Sequence, residues 1–266
     1  MPGASPDGYE YRGLIAQSWD LLRGDTSNWP DRPFYRERII ESGQPALDVG
    51  CGTGRLLLDY LAEGVDIDGV DNSPEMLALC RDKAAARELE PTLYEQAMES
   101  LDLPRRYRTI LVPSSSFLLI IDAEAAREAM RRFHAHLEPQ GVLVMPFMLS
   151  KDGPRGTLEE ASRWRKVAER ERPLDGALVR RWTRETFDYE QQLWHSEERY
   201  EVLVGGDVVQ TEHHHRSPAG RWYTQEQSLD LYREAGFGDL RLLHEFTTKV
   251  ASANDRIWTI VGRRSG

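Results

Sequence analysis

The stretch Leu47-Asp48-Val49-Gly50-Cys51-Gly52-Thr53-Gly54 decides the fold class of this chain. A short apolar run ends in three glycines at alternate positions, and the helical pattern of residues 54–63 follows. Glycine has no Cβ, so it permits a tight turn and lets a ligand approach the backbone closely. The helix behind such a turn presents unpaired N–H groups at its N-terminus. The stretch therefore predicts a buried strand, a ligand-binding turn and a helix.

A second strand, predicted over residues 65–70, ends at Asp71. An acidic residue at the C-terminal edge of the second strand is placed to bind the two hydroxyls of a ribose. Ser73 and Pro74 then form a typical helix start, with serine as the N-cap and proline at the first helical position. The succession of strand, glycine turn, helix, strand and acid predicts a site for a nucleotide-like cofactor.

The glycine spacing and Asp48 indicate which cofactor this is. The nicotinamide fingerprint is G-x-G-x-x-G, whereas Gly50, Gly52 and Gly54 give G-x-G-x-G. A carboxylate just before the turn could orient the loop and meet a cationic amino group. S-adenosylmethionine (SAM) has such a group on its methionine end, and NAD does not. SAM is therefore the predicted cofactor.

The alternation of strands and helices continues to about residue 150. Strands are predicted at 92–96, 109–112 and 142–147, with a helix at 123–137, and two further helices precede the first strand at 11–22 and 33–41. This rhythm predicts one α/β domain, residues 1–266, built on a parallel sheet with helices on both faces.

The rhythm changes after residue 150. Residues 154–172 are polar and have a helical composition, whereas residues 177–216 alternate in polarity and predict two or three antiparallel strands. A helix at 225–235 and strands at 239–246 and 256–263 complete the chain. The segment 151–222 is therefore expected to be an insertion within the domain.

Composition limits the partners of the protein. The chain has 266 residues and a formal net charge of −10, which disfavours nucleic acid because phosphate contacts need a basic surface. Cys51 and Cys80 are its only cysteines, so neither a disulfide framework nor a cysteine-based metal site is expected. No apolar stretch approaches the length of a membrane span. A cytoplasmic protein with no bound metal is the expectation.

Four motifs, in order along the chain, resemble those of class I SAM-dependent methyltransferases. They are residues 47–54, residues 70–77 with Asp71 as the ribose-binding acid, the turn at 137–143, and residues 233–237 before the penultimate strand. The resemblance implies a Rossmann-like seven-stranded sheet in the order 3-2-1-4-5-7-6, with strand seven antiparallel. The fold class expected is therefore α/β, with an antiparallel β insertion after strand five.

The insertion and residues 31–35 resemble bacterial small-molecule methyltransferases of the amino-sugar and glycine N-methyltransferase kind. In that resemblance, residues 151–222 are a lid that covers the substrate. Two positions depart from the pattern. Gln96-Ala97-Met98 stands where the family usually has an acid near the adenine, and Leu119 stands where some sugar N-methyltransferases carry a histidine or an aromatic residue.

The motifs and the resemblance together assign a set of cofactor-binding residues along the glycine turn and the ends of strands two, three and four. They are Tyr35, Asp48, Gly50, Cys51, Gly52, Gly54, Asp71, Asn72, Met76, Ala97, Met98 and Ser114. Tyr11 and Trp19, on the first helix, could cap the methionine end of the cofactor or simply form an amphipathic helix face.

The sequence offers two candidates for a catalytic residue. His213, His214 and His215 alternate faces if they lie on a strand, so they cannot all bind one metal ion. One of them, His214, could face the cleft as a base, because the pKa of histidine suits that role. Tyr223 is the other candidate, as a hydrogen-bonding group of the cleft wall. The alternative interpretation is that both residues are structural.

The predicted function is methyl transfer from SAM to a nitrogen or oxygen atom of a small-molecule acceptor, mainly by alignment of the two reactants. The alternatives are a SAM-binding protein without catalysis and an NAD-dependent oxidoreductase. The insertion is rich in aromatic residues, which suit the wall of a partly apolar cleft. The aromatic residues within or just past it are Trp164, Trp182, Phe187, Trp194, Trp222 and Tyr223. The competing interpretation is that they pack a homodimer interface.

Overall fold

The computed structural model describes residues 9–149 and 163–265, and its framework is two β-sheets. The strands are β1 (Ala46–Val49), β2 (Ile67–Asp71), β3 (Leu93–Glu95), β4 (Tyr107–Leu111), β5 (Leu137–Met148), β6 (Arg165–Glu171), β7 (Leu178–Asp188), β8 (Leu193–Val204), β9 (Asp207–Arg221), β10 (Phe237–His244) and β11 (Ile257–Arg264). The larger sheet has the order β10-β11-β5-β4-β1-β2-β3. Strand β11 is antiparallel to both of its neighbours, and the other pairings are parallel. The predicted sheet order is confirmed.

Helices cover the larger sheet and precede it. They are α1 (Leu14–Gln17), α2 (Trp19–Arg23), α3 (Asp31–Ser42), α4 (Leu57–Ala62), α5 (Pro74–Ala85), α6 (Ala123–His136) and α7 (Gln225–Glu234). The predicted start of α5 is confirmed, because the Ser73 hydroxyl accepts a hydrogen bond from the Met76 N–H at 3.2 Å. The helix predicted over 11–22 is two short helices, α1 and α2, with Ser18 between them.

The central strands are apolar because helices bury them on both faces. Every residue of β1 is buried, as are Ile110 and Leu111 of β4 and the run from Val142 to Phe147 of β5. Two clusters of buried side chains, one on each face of this sheet, make the core. Because both faces of the sheet are packed, the carboxyl ends of β1, β2 and β4 have fixed positions. The loops of the candidate site begin at these ends.

The insertion forms a second sheet, strands β6 to β9, which is antiparallel throughout and is called the insert sheet below. The predicted helix over 154–172 is wrong for its second half, since residues 165–171 are the strand β6; residues 154–162 lie outside the described residues. Five of the seven residues of this exposed edge strand are charged, so its composition resembled that of a polar helix. Pairing with β7 decides the conformation.

The insert sheet packs on the N-terminal helices through a small third cluster. Leu14 and Ile15 of α1 pack in one cluster with Ala177, just before β7, and with Tyr200 and Val202 of β8. The start of α1 also links α5 to strand β9 of the insert sheet: the Gly13 N–H donates to Glu75 at 2.8 Å, and the Leu14 N–H donates to Glu212 at 3.0 Å. The N-terminal segment therefore lies between the larger sheet and the insert sheet. No helix in the described residues is long and apolar enough to cross a membrane.

Candidate active site

The glycine turn after β1 is held to the neighbouring strand by its backbone. The Gly50 N–H donates to the Val70 carbonyl at 2.8 Å, and the Cys51 N–H donates to the same oxygen at 3.1 Å. Gly50 and Gly52 have φ values of 69° and 55°, which residues with a Cβ rarely adopt. A Cβ at Gly50 would stand 2.9 Å from the Ser116 hydroxyl. Glycine is therefore required here by both conformation and space.

Asp71, at the end of β2, is fixed by backbone donors. One of its carboxylate oxygens accepts from the Gly52 N–H at 2.8 Å, and the other accepts from the Ser73 N–H at 2.9 Å. Burial raises the pKa of Asp71, and these hydrogen bonds act in the opposite direction. Each carboxylate oxygen can accept a further hydrogen bond. Asp71 can therefore hold the turn and still bind a diol.

These groups open onto one cavity of about 470 Å³, the first cavity, at the carboxyl ends of β1, β2 and β4. Ligands bind at this edge of open α/β sheets, and the volume is in the range of small-molecule sites. The cofactor residues assigned from the sequence that line it are Asp48, Gly50, Cys51, Gly52, Asp71, Asn72, Met76, Met98 and Ser114. Tyr11 and Trp19 also line it. Nine of the twelve cofactor-binding residues assigned from the sequence therefore line one cavity.

Three of the assigned residues lie outside the first cavity. Tyr35 is fully buried against Phe34 and Phe246, so it is a core residue behind the glycine turn. Gly54 faces the packing of α4, where a Cβ would stand 2.7 Å from both Leu58 and Cys80. Ala97 faces a shallower neighbouring pocket.

Asp48 is buried beneath the turn and has an unsatisfied atom. Its exposure is 2%, and its Oδ1 atom has no hydrogen-bond partner. Burial raises the pKa of Asp48 to about 7; the Arg55 guanidinium lowers this pKa and the Asp71 carboxylate raises it. A buried acceptor without a partner is costly unless a ligand satisfies it. The chemistry of this position suits an ammonium group.

Sequence reasoning missed a cationic side chain in the same cavity, Arg23. Its guanidinium lies 4.0 Å from the centre of the Trp19 ring, and burial together with the nearby Arg55 lowers the pKa of Arg23 to about 10. Arg55 itself pairs with Asp31, whereas Arg23 has no ion pair among the described residues. A half-buried guanidinium without an ion pair among the described residues can bind a carboxylate. The sequence did offer one indication of this role, since Arg23 ends the same short helix, α2, that begins with Trp19.

Tyr9 was also missed, and it closes the cavity at the other end. Its hydroxyl donates to Glu99 at 2.8 Å and accepts from the Met98 N–H at 3.3 Å. Burial raises the pKa of Tyr9, and the Glu99 carboxylate raises it further. Ser114 and Ser115, on the wall after β4, have φ values of 57° and 58°. Such strained, non-glycine backbone is common at ligand sites.

A second cavity of about 410 Å³ lies between α1, α2 and one face of the insert sheet. Six residues line both cavities, and so mark their junction: Tyr11, Trp19, Arg23, Leu119, Glu185 and Trp194. Of the described acidic residues, only Glu185 lines both. The two cavities are therefore adjoining compartments rather than separate sites.

The two catalytic candidates lie in different places. His214 lines the second cavity, where its Nε2 atom is 2.5 Å from Glu212. Tyr223 lines neither cavity; it packs on Phe117 and Phe147 in the core, and burial raises the pKa of Tyr223 to about 12. A tyrosine in that environment is a poor proton acceptor.

Comparison with known proteins agrees with this geometry. Residues 46–141 match the family model of a methyltransferase domain. The fold of the described residues is that of class I SAM-dependent methyltransferases, so the resemblance that the four motifs indicated is confirmed. The cofactor of that class, SAM, is the one that the glycine spacing predicted.

The curated relatives include enzymes that act on small molecules. The chain is 29% identical over 142 residues to dTDP-3-amino-3,6-dideoxy-alpha-D-glucopyranose N,N-dimethyltransferase of Streptomyces fradiae. The matched region covers 51% of this chain and 54% of that protein. It is 26% identical over 140 residues to glycine/sarcosine N-methyltransferase of Halorhodospira halochloris, covering 51% and 52%. The chain thus spans about half the length of the curated relatives it matches.

Solved structures extend the likeness of fold to almost the whole chain. A SAM-dependent methyltransferase from Clostridium acetobutylicum superposes with a TM-score of 0.73 at 20% identity, covering 95% of this chain and 98% of the other. DesVI of Streptomyces venezuelae superposes with a TM-score of 0.69 at 21% identity, covering 96% and 100%. The fold therefore includes the insert sheet as well as the matched domain.

Proposed function

We propose that this protein transfers a methyl group from SAM to a nitrogen atom of a small-molecule acceptor. The observation that carries the proposal is Asp71, which is fixed by the glycine turn and faces a cavity that adjoins a second one. One compartment suits the cofactor and the other suits the acceptor. The matched methyltransferase domain and relatives named as N-methyltransferases support the same conclusion.

The polar groups of the first cavity fit SAM along its length. Asp71 would bind the ribose hydroxyls, and Met98 and Leu101 would pack on the adenine. The methionine end needs partners for an ammonium and a carboxylate, which Asp48 and Arg23 offer. NAD has no such amino-acid end, so these two residues favour SAM over the oxidoreductase alternative.

The chain's own contribution to the reaction is alignment and exclusion of water. SAM supplies a methyl group that its sulfonium already activates. The aromatic side chains of Tyr11, Trp19 and Trp194 stand at the junction of the cavities, where they would exclude water and confine the acceptor. We propose that the insert sheet is the lid of this site, with residues 151–222 belonging to the single domain 1–266.

The direct test is incubation of the purified protein with SAM that carries a labelled methyl group and with fractionated cell metabolites. We expect transfer of the label to an amine, together with release of S-adenosylhomocysteine. Binding of SAM in calorimetry without any transfer would instead support a non-catalytic SAM-binding protein. A thermal shift with NAD and none with SAM would support the oxidoreductase.

Replacing Asp71 by alanine should weaken SAM binding by about tenfold or more. The variant loses charge-assisted hydrogen bonds to the ribose, each worth roughly 1.5–3 kcal/mol. It also frees the N–H groups of Gly52 and Ser73, which loosens the turn. Isothermal titration calorimetry measures the change, and an affinity within about twofold of the wild type would contradict the assignment.

SAM affinity should depend on pH through Asp48. The pKa of this carboxyl is about 7, and only its ionised form attracts the ammonium of SAM. Affinity should therefore rise as pH increases through about 7, by at most about tenfold per pH unit. Calorimetry between pH 6 and pH 8 measures this rise in affinity. The Asp48→Asn variant should bind SAM more weakly at pH 8, and its affinity should not rise between pH 6 and pH 8. If the variant shows the same rise as the wild type, another group causes the pH dependence.

A further inference from the structure

One row of side chains crosses the insert sheet inside the second cavity. Glu185 of β7 is directly opposite Ser196 of β8, and Ser196 is directly opposite Arg216 of β9. All three line the second cavity, and Glu185 also lines the first. Two strand spacings separate the outer members, so their Cα atoms are about 10 Å apart. The row thus carries a negative charge, Glu185, at the junction of the cavities and a positive charge, Arg216, farther inside.

Arg216 is placed to bind an anion. Its guanidinium donates to the Glu10 carbonyl at 3.0 Å and lies 4.7 Å from the centre of the Tyr11 ring. It forms no ion pair with any described residue, whereas the neighbouring Arg181 is paired with Glu198. A guanidinium held by a stacking ring and a single carbonyl keeps donors for a carboxylate or a phosphate.

Glu185 has the opposite character and a fixed position. The Arg165 guanidinium of β6, at the rim, contacts its carboxylate at 3.3 Å. Trp194 and Leu119 share the junction of the cavities with it. The Glu185 side chain is 29% exposed and pairs with Arg165, and the apolar side chains beside it reduce screening by water, so its carboxylate can also attract a cation. At this junction the cation would be next to the methyl group of a cofactor in the first cavity.

We propose that the second cavity is the acceptor site and that it selects an amine bearing an anionic group. Glu185 binds the amine that is methylated, and Arg216 binds the anion. This inference rests on the proposed function, since it assumes that SAM occupies the first cavity. It adds the charge pattern of the acceptor and the residues that select it.

The proton balance gives Glu185 its role. An acceptor amine arrives as an ammonium ion and cannot attack until it loses a proton, which the Glu185 carboxylate accepts and passes to water. The nitrogen lone pair then forms the N–C bond to the methyl group while the C–S bond breaks, and its electron pair remains on sulfur. The methylated nitrogen carries the positive charge, beside the same carboxylate.

The test uses matched probes that differ by one charged group. One set is 4-aminobutyrate, butylamine and 4-hydroxybutyrate; the other is glucosamine 6-phosphate, glucosamine and glucose 6-phosphate. Binding to the full chain, saturated with S-adenosylhomocysteine, is measured by saturation-transfer NMR titration. In at least one set, we expect the compound with both charges to bind about tenfold tighter than either partner. The set that shows this effect distinguishes a carboxylate-bearing acceptor from a phosphate-bearing one.

Variants assign the two charges to residues. Glu185→Gln should remove the advantage of the amine over the hydroxyl compound, and Arg216→Gln should remove the advantage of the anionic over the neutral amine. Glu197→Gln and Arg184→Gln are the controls, because this ion pair lies on the opposite face of β7 and β8. Both controls should keep the full preference.

Three results would overturn the inference: equal binding within both sets, unchanged preferences in the two cavity variants, or no binding of any probe. Calorimetry with SAM separates this failure from failure of the proposed function. If SAM binds to the wild type but the probes show no charge preference, only the acceptor assignment fails. If SAM itself does not bind, the proposed function fails.

Discussion

Replacement of Gly52 by valine should abolish measurable SAM binding in a protein that still folds. Gly52 has a φ of 55°, and a β-branched residue strongly disfavours that conformation. A Cβ there would also stand 3.2 Å from the Met76 methyl group and would occupy the surface that faces the cavity. A twisted turn would withdraw the Gly52 N–H from Asp71. The substitution therefore affects the turn and the ribose-binding acid together.

Gly64→Val is the matched control for this prediction. Gly64 also has a positive φ, 81°, but nothing lies within 4 Å of the position where its Cβ would be, and it lines neither cavity. The control has comparable backbone strain without any change in the site. We expect similar losses of thermal stability in the two variants and loss of SAM binding only in Gly52→Val. Unchanged affinity in Gly52→Val, measured by calorimetry, would show that this turn is not the cofactor site.

The larger sheet and its binding edge could be predicted because local signals decide them. A buried apolar run, glycines with a positive φ and an acid after β2 each act within a few residues, and together they specify Asp48, Gly50, Gly52 and Asp71. The residues that fell outside the cavity were assigned by resemblance or by their place in the motif. Gly54 shows why: the third glycine is required by the packing of α4 rather than by a ligand.

The insert sheet was less predictable because its register depends on long-range pairing. Alternation separates two faces of a strand but does not say which face is covered. Phe187, Trp194 and Trp222 line the first cavity, whereas Trp182 lies on the other face, where Arg180 and Arg199 stack on it. Only three of the six aromatic residues expected to form the cleft wall therefore line the cavity. The charged row of the second cavity has no signal within the sequence, since it joins residues of three strands.

Replacement of Gly220 by valine should lower turnover and leave cofactor binding almost unchanged. Gly220 is opposite Trp194 on the insert sheet, and a Cβ at Gly220 would stand 2.0 Å from the Trp194 ring. Gly220 has no positive φ, so the effect of valine is displacement of the indole rather than backbone strain. The indole lines both cavities at their junction, where the acceptor would meet the cofactor. A small misplacement there can lower a rate by about 100-fold.

We therefore expect kcat/KM in the labelled-methyl assay to fall by about 100-fold in Gly220→Val, with the Kd for SAM within about threefold of the wild type. The cause is checked by adding Trp194→Ala, which removes the ring that valine would displace. If the clash is the cause, the two substitutions together should cost less than the sum of their separate effects. Trp182→Ala, on the opposite face, should leave turnover unchanged. Undiminished turnover in Gly220→Val would show that the insert sheet does not shape the reacting site, and the lid assignment would have to be abandoned.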